Sequence, residues 1–188
     1  MLASASPRRR ELLGLLGIPF TVRPVDIDET QRPEETPEAL VRRLAGGKAA
    51  AGAVAVAADA SGPVVIGADT IVVADGQVLG KPADDGDARR MLGLLSGRSH
   101  RVLTGVVVRI GGSATTAVEE TAVAFCELTA ADIDWYLASG EHRGKAGAYG
   151  IQGVAGVFVT RIEGSFTNVV GLPLATLRPM LAATGFRV

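Results

Sequence analysis

A single carboxylate interrupts the most apolar segment of the chain. Asp69 and Thr70 lie within residues 64–73, whose other members are Val, Ile, Ala and Gly. A carboxylate among apolar side chains is costly unless a cation, a hydrogen-bond donor or a metal ion compensates it. Asp69 is therefore the first candidate for a catalytic or metal-binding group.

The acidic segment of residues 26–29 ends with Glu29, which can supply a second oxygen ligand for a divalent cation. Mg²⁺ usually takes one or two carboxylates from a protein and completes its shell with water and substrate phosphate. Taken alone, such a segment is more often plain solvated surface, and that alternative stays open.

An anion-binding pattern opens the chain. Residues 4–10 read Ser-Ala-Ser-Pro-Arg-Arg-Arg, so hydroxyl, backbone N–H and guanidinium groups come together at the start of a predicted helix. A helix N-terminus carries partial positive charge, and arginine can bind phosphate through two parallel hydrogen bonds. The alternative is a capped amphipathic helix with a solvated basic turn.

Two further segments carry side chains that suit a nucleotide. Lys81 follows a predicted hairpin that starts near Asp69, and it can return an ammonium group toward the same site. Lys145 and Gln152 flank residues 146–151, whose small side chains let a ligand approach the backbone, and a Gln amide can pair with a base edge. A surface turn and a plain glycine connector are the alternatives.

Composition excludes several classes of protein. The 188 residues are 47% hydrophobic and 21% charged, which is typical of one globular domain. A net charge of −1 and 4% aromatic residues argue against nucleic acid as a partner. No apolar stretch is long enough to span a bilayer, so no membrane partner is expected. The lone cysteine, Cys126, excludes an internal disulfide, and a cytoplasmic location is expected.

Strands and helices alternate along the chain. Caps and apolar spacing predict helices from Pro7, from Pro37 to about Ala58, over residues 84–95 and 129–139, and after Pro173. Strands are expected over residues 1–5, 20–25, 64–73, 78–79, 102–110, 117–128 and 157–162, with turns at residues 75–76 and 111–112. This order indicates an α/β fold with a mixed sheet and flanking helices.

Seven blocks of this chain are similar, in the same order, to blocks of the Maf family. They are LASASPRRRELL at residues 2–13, GADT at 67–70, GKP at 80–82, LSG at 95–97, KAGAYGIQG at 145–153, EGS at 163–165 and NVVGLPL at 168–174. The resemblance covers nearly the whole chain. Only Met1 precedes the first block, which predicts a short first strand.

The resemblance implies a single domain over residues 1–188, with a mixed twisted sheet, flanking helices and two lobes around a central cleft, similar to the inosine triphosphate pyrophosphatases. The implied activity is hydrolysis of a nucleoside triphosphate between the α- and β-phosphates, which releases the monophosphate and pyrophosphate. A nucleotide is the expected small-molecule partner, and Mg²⁺ or Mn²⁺ is the expected cofactor. Monomer and homodimer are both open.

Roles carry over residue by residue from the family's motifs. The resemblance makes Asp69 the proton acceptor, and whether it is also a metal ligand beside Glu29 stays open. Its implied specificity residues are Arg8, Thr70 and Gln152, and they resemble the subgroup that acts on dTTP and UTP. Its implied phosphate-binding residues are Ser6, Arg9, Lys48 and Lys81. The competing interpretation is a nucleotide-binding regulator of septum formation without significant turnover.

Overall fold

The computed structural model describes residues 1–57 and 63–186. Its helices are α1 (Pro7–Gly14), α2 (Pro37–Ala55), α3 (Asp85–Leu95), α4 (Ala130–Ala138), α5 (Phe166–Val170) and α6 (Leu174–Ala182). Its strands are β1 (Val65–Ala74), β2 (Gln77–Leu79), β3 (Ser99–Ile110), β4 (Ser113–Phe125) and β5 (Val159–Glu163). Short 3-10 helices cover Ala146–Ala148 and Val154–Phe158. The expected end of the second helix, Ala58, lies outside the described residues.

The five strands form one sheet in the order β2-β1-β3-β4-β5. β1 and β2 pair antiparallel with Ala74 opposite Gln77, which leaves a two-residue turn. Both turn residues, Asp75 and Gly76, have positive φ, as the predicted hairpin turn requires. Leu2 adds parallel bridges to Val22 and Ile66, so antiparallel and parallel pairing coexist. The prediction of an α/β fold with a mixed sheet is confirmed.

The predicted helix starts are also confirmed. At α1, α2, α3 and α4 a side chain accepts from a backbone N–H of the first turn, whereas α6 begins after Pro173 without a side-chain cap. Thr36 accepts from the backbone nitrogen of Ala39 at the start of α2. Asp84 caps α3, and Thr129 forms a capping box with Asp132 at α4.

Helix α2 contacts the sheet at positions that only glycine can occupy. A Cβ at Gly67 of β1 would lie 2.3 Å from the carbonyl oxygen of Ala45, and a Cβ at Gly105 of β3 would lie 2.2 Å from that of Val41. Residues 67 and 69 share one face of β1 because side chains alternate along a strand. This close approach places Asp69 against α2, where Lys48 lies one turn beyond Ala45.

The chain divides into two compact units, and three of the four divisions fall within β1, β3 and β4, while the fourth follows the end of α5. The first unit comprises Met1–Asp69, Thr104–Glu119 and Gly171–Val188, and the second comprises Thr70–Leu103 and Glu120–Val170. A small core in the first unit contains Ala45, Ala49 and Val107. The core of the second unit is larger and includes Leu92 and Tyr136. The single domain and the central cleft implied by the resemblance stay predictions.

Three local predictions are wrong in detail. The strands expected over residues 1–5 and 20–25 are reduced to the bridges of Leu2, because the Ser4 hydroxyl accepts from the backbone nitrogen of Ser6 as the chain enters α1. The last strand begins at Val159 rather than at residue 157, because a 3-10 helix occupies the preceding residues. Helix α5 was not predicted, and its Asn168 is held by distant partners, the oxygen atoms of Val102 and Thr121.

Within the described residues, no helix combines the length and the apolar character needed to cross a membrane.

Candidate functional site

The Lys48 ammonium group joins two carboxylates in the first unit. Its Nζ lies 2.5 Å from Oδ1 of Asp69 and 2.6 Å from Oε1 of Glu29. Lys48 and Asp69 are each 8% exposed, whereas the Glu29 side chain is 42% exposed. The buried carboxylate is therefore compensated by a buried cation, and the second carboxylate reaches the same cation from the solvent side.

Arg43, five residues before Lys48 on α2, fixes the segment that carries Glu29. Its Nη2 donates to the carbonyl oxygen of Thr30 at 2.9 Å, and its Nη1 donates to that of Asp28 at 3.4 Å. The same guanidinium binds Glu35 through two bonds of 2.6 and 2.8 Å and lowers the pKa of that carboxyl to about 2. Arg43 thus holds the backbone on both sides of Glu29, so an exposed acidic segment presents its carboxylate in one place.

Of the three consecutive arginines in α1, only Arg9 is buried. Its Nε donates to the carbonyl oxygen of Gly171 at 2.8 Å, and its Nη1 lies 3.4 Å from the Ser4 hydroxyl. Burial lowers the pKa of the Arg9 guanidinium, while the negative charges of Asp69 and Glu29 act in the opposite direction. Arg9 therefore belongs to the same electrostatic environment as the two carboxylates.

The remaining predicted residues of α1 have different surroundings. Ser6 caps the helix, and its hydroxyl accepts from the backbone nitrogen of Arg9 at 3.4 Å. Arg8 is partly buried, and Arg10 is exposed. The helix start therefore supplies a capping hydroxyl and one buried guanidinium, as a phosphate-binding segment requires.

The donor set of the first unit fits a hard divalent cation. Glu29 and Asp69 already direct one oxygen each at a single cationic group, and carboxylate oxygens are the ligands that Mg²⁺ and Mn²⁺ prefer. Across residues 1–57 and 63–186, no group of three or more His, Cys, Asp or Glu side chains could hold a metal ion. Two protein carboxylates would leave the remaining positions to water and phosphate oxygens.

The second unit holds the other predicted residues. Thr70, the first residue of this unit, is half-buried in β1, and Lys81 is exposed just after β2. The carbonyl oxygen of Gly80 accepts from the backbone nitrogen of Gly147 at 3.0 Å, so the segment before Lys81 contacts residues 145–153, which we call the glycine-rich loop. Gln152 is exposed at the far end of that loop. Lys81 and Gln152 thus lie on two segments that contact each other.

A buried aromatic group anchors the middle of the glycine-rich loop. Tyr149 is 6% exposed, and its hydroxyl lies 2.8 Å from Nε2 of His100. Both rings contact Phe125 edge to face, with ring centroids 4.9 and 5.0 Å away. His100 is therefore a structural residue of the core.

The stability of this anchor should depend on pH. Burial lowers the pKa of His100 from 6.5 to about 4, so the folded protein favours the neutral ring. The unfolded chain binds the proton more readily, so this contribution is fully present above pH 6.5 and is lost as the pH falls toward 4. A shift of that size corresponds to about 3 kcal/mol of unfolding free energy.

Urea unfolding of the wild type and of His100→Gln at pH 7 and pH 4 measures this contribution by difference. The variant should lose about 3 kcal/mol less than the wild type over that range, since its side chain does not titrate. Equal pH dependence of the two proteins would contradict a neutral buried His100.

Sequence reasoning missed the residues that hold the site residues in place. Arg43 and His100 contact predicted residues or their segments, yet neither has a local pattern of its own. Ser4, which contacts Arg9, does belong to the anion-binding pattern of residues 4–10. Arg9 did have a signal, because it lies three and four residues before Leu12 and Leu13, which are buried on the same side of α1.

An α/β protein with a buried Asp–Lys pair, a second carboxylate and a buried arginine has the groups needed to bind a phosphorylated ligand with a divalent cation. The chain belongs to the Maf family, since the family model described as Maf-like protein matches residues 1–184. The family prediction is confirmed.

Curated relatives match over nearly their full length. A protein from Anaeromyxobacter dehalogenans is 53% identical over 190 residues, which cover 99% of this chain and 94% of that protein. A protein from Pseudoalteromonas atlantica is 50% identical, with 97% and 95% covered, and one from Symbiobacterium thermophilum is 50% identical, with 100% and 95% covered. All three are named dTTP/UTP pyrophosphatase.

Proposed function

We propose that this chain is a nucleoside triphosphate pyrophosphatase that hydrolyses dTTP and UTP to the monophosphate and pyrophosphate. The observation that carries the proposal is the Lys48 ammonium group between Asp69 and Glu29, with the buried Arg9 in the same electrostatic environment. The activity named for the curated relatives supports it, because they match this chain over nearly its whole length.

Each candidate site residue of the first unit has a role that follows from its surroundings. Asp69 accepts the proton of the attacking water, for which a fixed, buried carboxylate is well suited. Arg9 and Lys48 neutralise phosphate oxygens and stabilise the charge that develops on the pyrophosphate leaving group. Ser6 contributes the capped start of α1, where backbone N–H groups can bind an anion.

We propose that Glu29 and Asp69 hold Mg²⁺ or Mn²⁺. Such an ion, when bound, acts as a Lewis acid on the phosphate oxygens. What supports the proposal is the convergence of two carboxylates on one cationic group. The Lys48 ammonium group beside the two carboxylates would bind a phosphate oxygen of the nucleotide.

We assign base selection to Arg8, Thr70 and Gln152, and phosphate binding in the second unit to Lys81. Uracil and thymine present two carbonyl acceptors and one N3–H donor. The Gln152 amide can accept from N3–H and donate to a neighbouring carbonyl, whereas arginine offers only donors. Cytosine has an unprotonated N3 and an amino group, so it mismatches the same amide.

We propose that the protein binds a nucleotide as its partner and binds neither nucleic acid nor a membrane. We also propose that it acts in the cytoplasm. The near-neutral charge and the free cysteine, Cys126, support these statements. A homodimer stays an alternative to a monomer, and sedimentation analysis decides between them.

The experiment that tests the proposed activity is incubation of the purified protein with single nucleoside triphosphates and Mg²⁺, followed by identification of the products. Monophosphate with an equal amount of pyrophosphate is the expected result. Binding of nucleotide without turnover would contradict the proposal and favour the regulator of septum formation instead. Release of inorganic phosphate with a diphosphate would place the cleaved bond elsewhere.

The base preference gives a separate prediction. Wild-type kcat/KM should be high for dTTP and UTP and low for CTP, ATP and GTP. The kcat/KM values for dTTP and UTP should correspond to activation free energies that differ by about 1 kcal/mol, the contribution of one methyl group. Gln152→Ala should lower the preference for UTP over CTP by about 10–100-fold and reduce general activity less, because a wrong base that covers the Gln152 amide leaves its polar atoms unpaired.

A wild type that favours a purine triphosphate would contradict the assigned base preference. A Gln152→Ala protein with an unchanged ranking would contradict the assigned role of Gln152. Neither result would contradict the pyrophosphatase activity itself.

A further inference from the structure

We infer that Glu141 is a positioning residue for Gln152, and that its carboxylate sets the base preference without touching the base. The inference rests on the base-selecting role proposed for Gln152. Glu141 follows α4, and its carboxylate lies on the backbone immediately after Gln152, at residues 153 and 154.

The carboxylate occupies the space that a side chain at position 153 would need. Oε2 of Glu141 accepts from the backbone nitrogen of Val154 at 2.9 Å. A Cβ added to Gly153 would lie 2.0 Å from that oxygen, 2.7 Å from Cδ and 2.9 Å from Oε1. The backbone of Gly153, with φ of −105° and ψ of −151°, is extended, so the backbone angle accepts any residue and a side chain here would instead have to displace the Glu141 carboxylate.

A second side chain holds the other end of the same turn. The Lys145 ammonium group donates to the backbone carbonyl oxygen of Glu141. A Cβ added to Gly150 would lie 2.7 Å from Cε and 2.9 Å from Cδ of Lys145. The Lys145 stem thus lies close to the first residue of the segment 150–153, which includes Gln152, and the Glu141 carboxylate binds the backbone just after the last.

The position of Glu141 is itself fixed. Its backbone nitrogen donates to the Ser139 hydroxyl at 3.2 Å, and Ser139 in turn donates to the carbonyl oxygen of Tyr136 within α4. Tyr136 is fully buried in the core of the second unit. A continuous chain of contacts therefore connects the core to the backbone beside Gln152.

The turn of residues 150–153 does little by itself to fix the orientation of Gln152. Gln152 is exposed, and the turn closes through one backbone hydrogen bond from the nitrogen of Gly153 to the oxygen of Gly150, 3.1 Å long. Glycine at both ends of the turn leaves the backbone many accessible conformations. An amide that must offer one acceptor and one donor to a base needs a defined orientation, and the Glu141 carboxylate provides it.

The test compares base preference, measured as the ratio of kcat/KM for UTP to that for CTP. Glu141→Ala should lower this ratio about tenfold, the effect of one hydrogen bond of ordinary strength. The kcat for UTP should change less than the ratio, because Glu141 touches no reacting atom. Glu141→Gln retains an acceptor for the nitrogen of Val154 and should keep most of the preference.

Gly153→Ala provides the second, independent variant. Its methyl group must displace the Glu141 carboxylate, so it should lower the ratio as Glu141→Ala does. The double variant should be no worse than either single one, because the interaction is already lost, and the shorter side chain at position 141 also makes room for the methyl group. This comparison remains decisive even where one of the single variants folds poorly.

Two control variants remove similar groups away from this turn. Glu120→Gln removes a carboxylate from an exposed ion pair with Arg101, and Gly93→Ala adds a methyl group where nothing lies within 4 Å. Both should leave the UTP-to-CTP ratio unchanged. A lowered ratio in either control would show that general destabilisation is enough to lower the UTP-to-CTP ratio, and it would overturn the inference.

Gln152→Ala, measured in parallel, separates this inference from the proposed function. An unchanged ratio in Glu141→Ala, with the ratio lowered in Gln152→Ala, would overturn the positioning role and leave base selection by Gln152 intact. Independent, additive effects of Glu141→Ala and Gly153→Ala would also overturn it. An unchanged ratio in Gln152→Ala would contradict the proposed role of Gln152 and the present inference together.

Discussion

Asp69→Asn should lower kcat by about 10²–10⁴ while the protein stays folded, because a general base or a group that stabilises developing charge contributes roughly that much. Asparagine keeps the shape of the side chain at the buried position and removes the negative charge. Lys48 retains Glu29 as an ionic partner in this variant, so the fold should tolerate the change. Steady-state kinetics with UTP and Mg²⁺, together with circular dichroism, measure both quantities.

Asp134→Asn is the matched control, because it removes an aspartate from an exposed pair with Arg89 on the surface. It should leave kcat unchanged. A preparation of Asp69→Asn that retains more than about a tenth of wild-type activity would exclude Asp69 from the assigned role.

The sequence alone identified Asp69, because the cost of an isolated carboxylate is visible in a run of apolar residues. It also predicted the helix starts and the turn at residues 75–76, since two to four neighbouring residues determine a helix cap or a turn with positive φ. These signals are local, and the structure agrees with them.

The contacts that hold the candidate site could not be predicted in the same way. The Asp69 carboxylate is compensated by a residue 21 positions away, and Arg43 binds a segment 8 to 15 positions before it. The first contact depends on how α2 lies against β1, which Gly67 permits and which no local pattern specifies. The resemblance named Lys48 for phosphate, and the structure adds its contacts with the two carboxylates.

The same limit explains the errors in the fold. Residues 1–5 have the apolar character of a strand, yet the hydroxyl of Ser4 bonds to the chain as it turns into α1. Helix α5 has only five residues, and its stability comes from the contacts of Asn168 with β3 and β4. The Ser4 contact is local and those of Asn168 are tertiary, and either kind overrides the general preference of a short segment.

Lys48→Met should have the second largest effect, and it should affect stability as well as rate. Methionine keeps an unbranched apolar stem and removes the ammonium group, so Asp69 and Glu29 lose the cation that they share. Breaking a buried ion pair by removing one partner costs about 3–5 kcal/mol, and the lower end applies because Glu29 is 42% exposed. With the phosphate-binding charge also lost, kcat/KM should fall by about 10²-fold.

Thermal unfolding of Lys48→Met in EDTA and in Mg²⁺ distinguishes the two consequences. The variant should unfold at a lower temperature than the wild type in EDTA, because a buried carboxylate is left without a cation. Added Mg²⁺ should then raise its unfolding temperature more than that of the wild type, since the two carboxylates regain a cationic partner.

Arg89→Met, which removes a cation from an exposed pair, should show neither change. A Lys48→Met protein as stable as the wild type in EDTA and indifferent to Mg²⁺ would show that the ammonium group does not compensate these carboxylates and that Glu29 and Asp69 do not hold the metal ion.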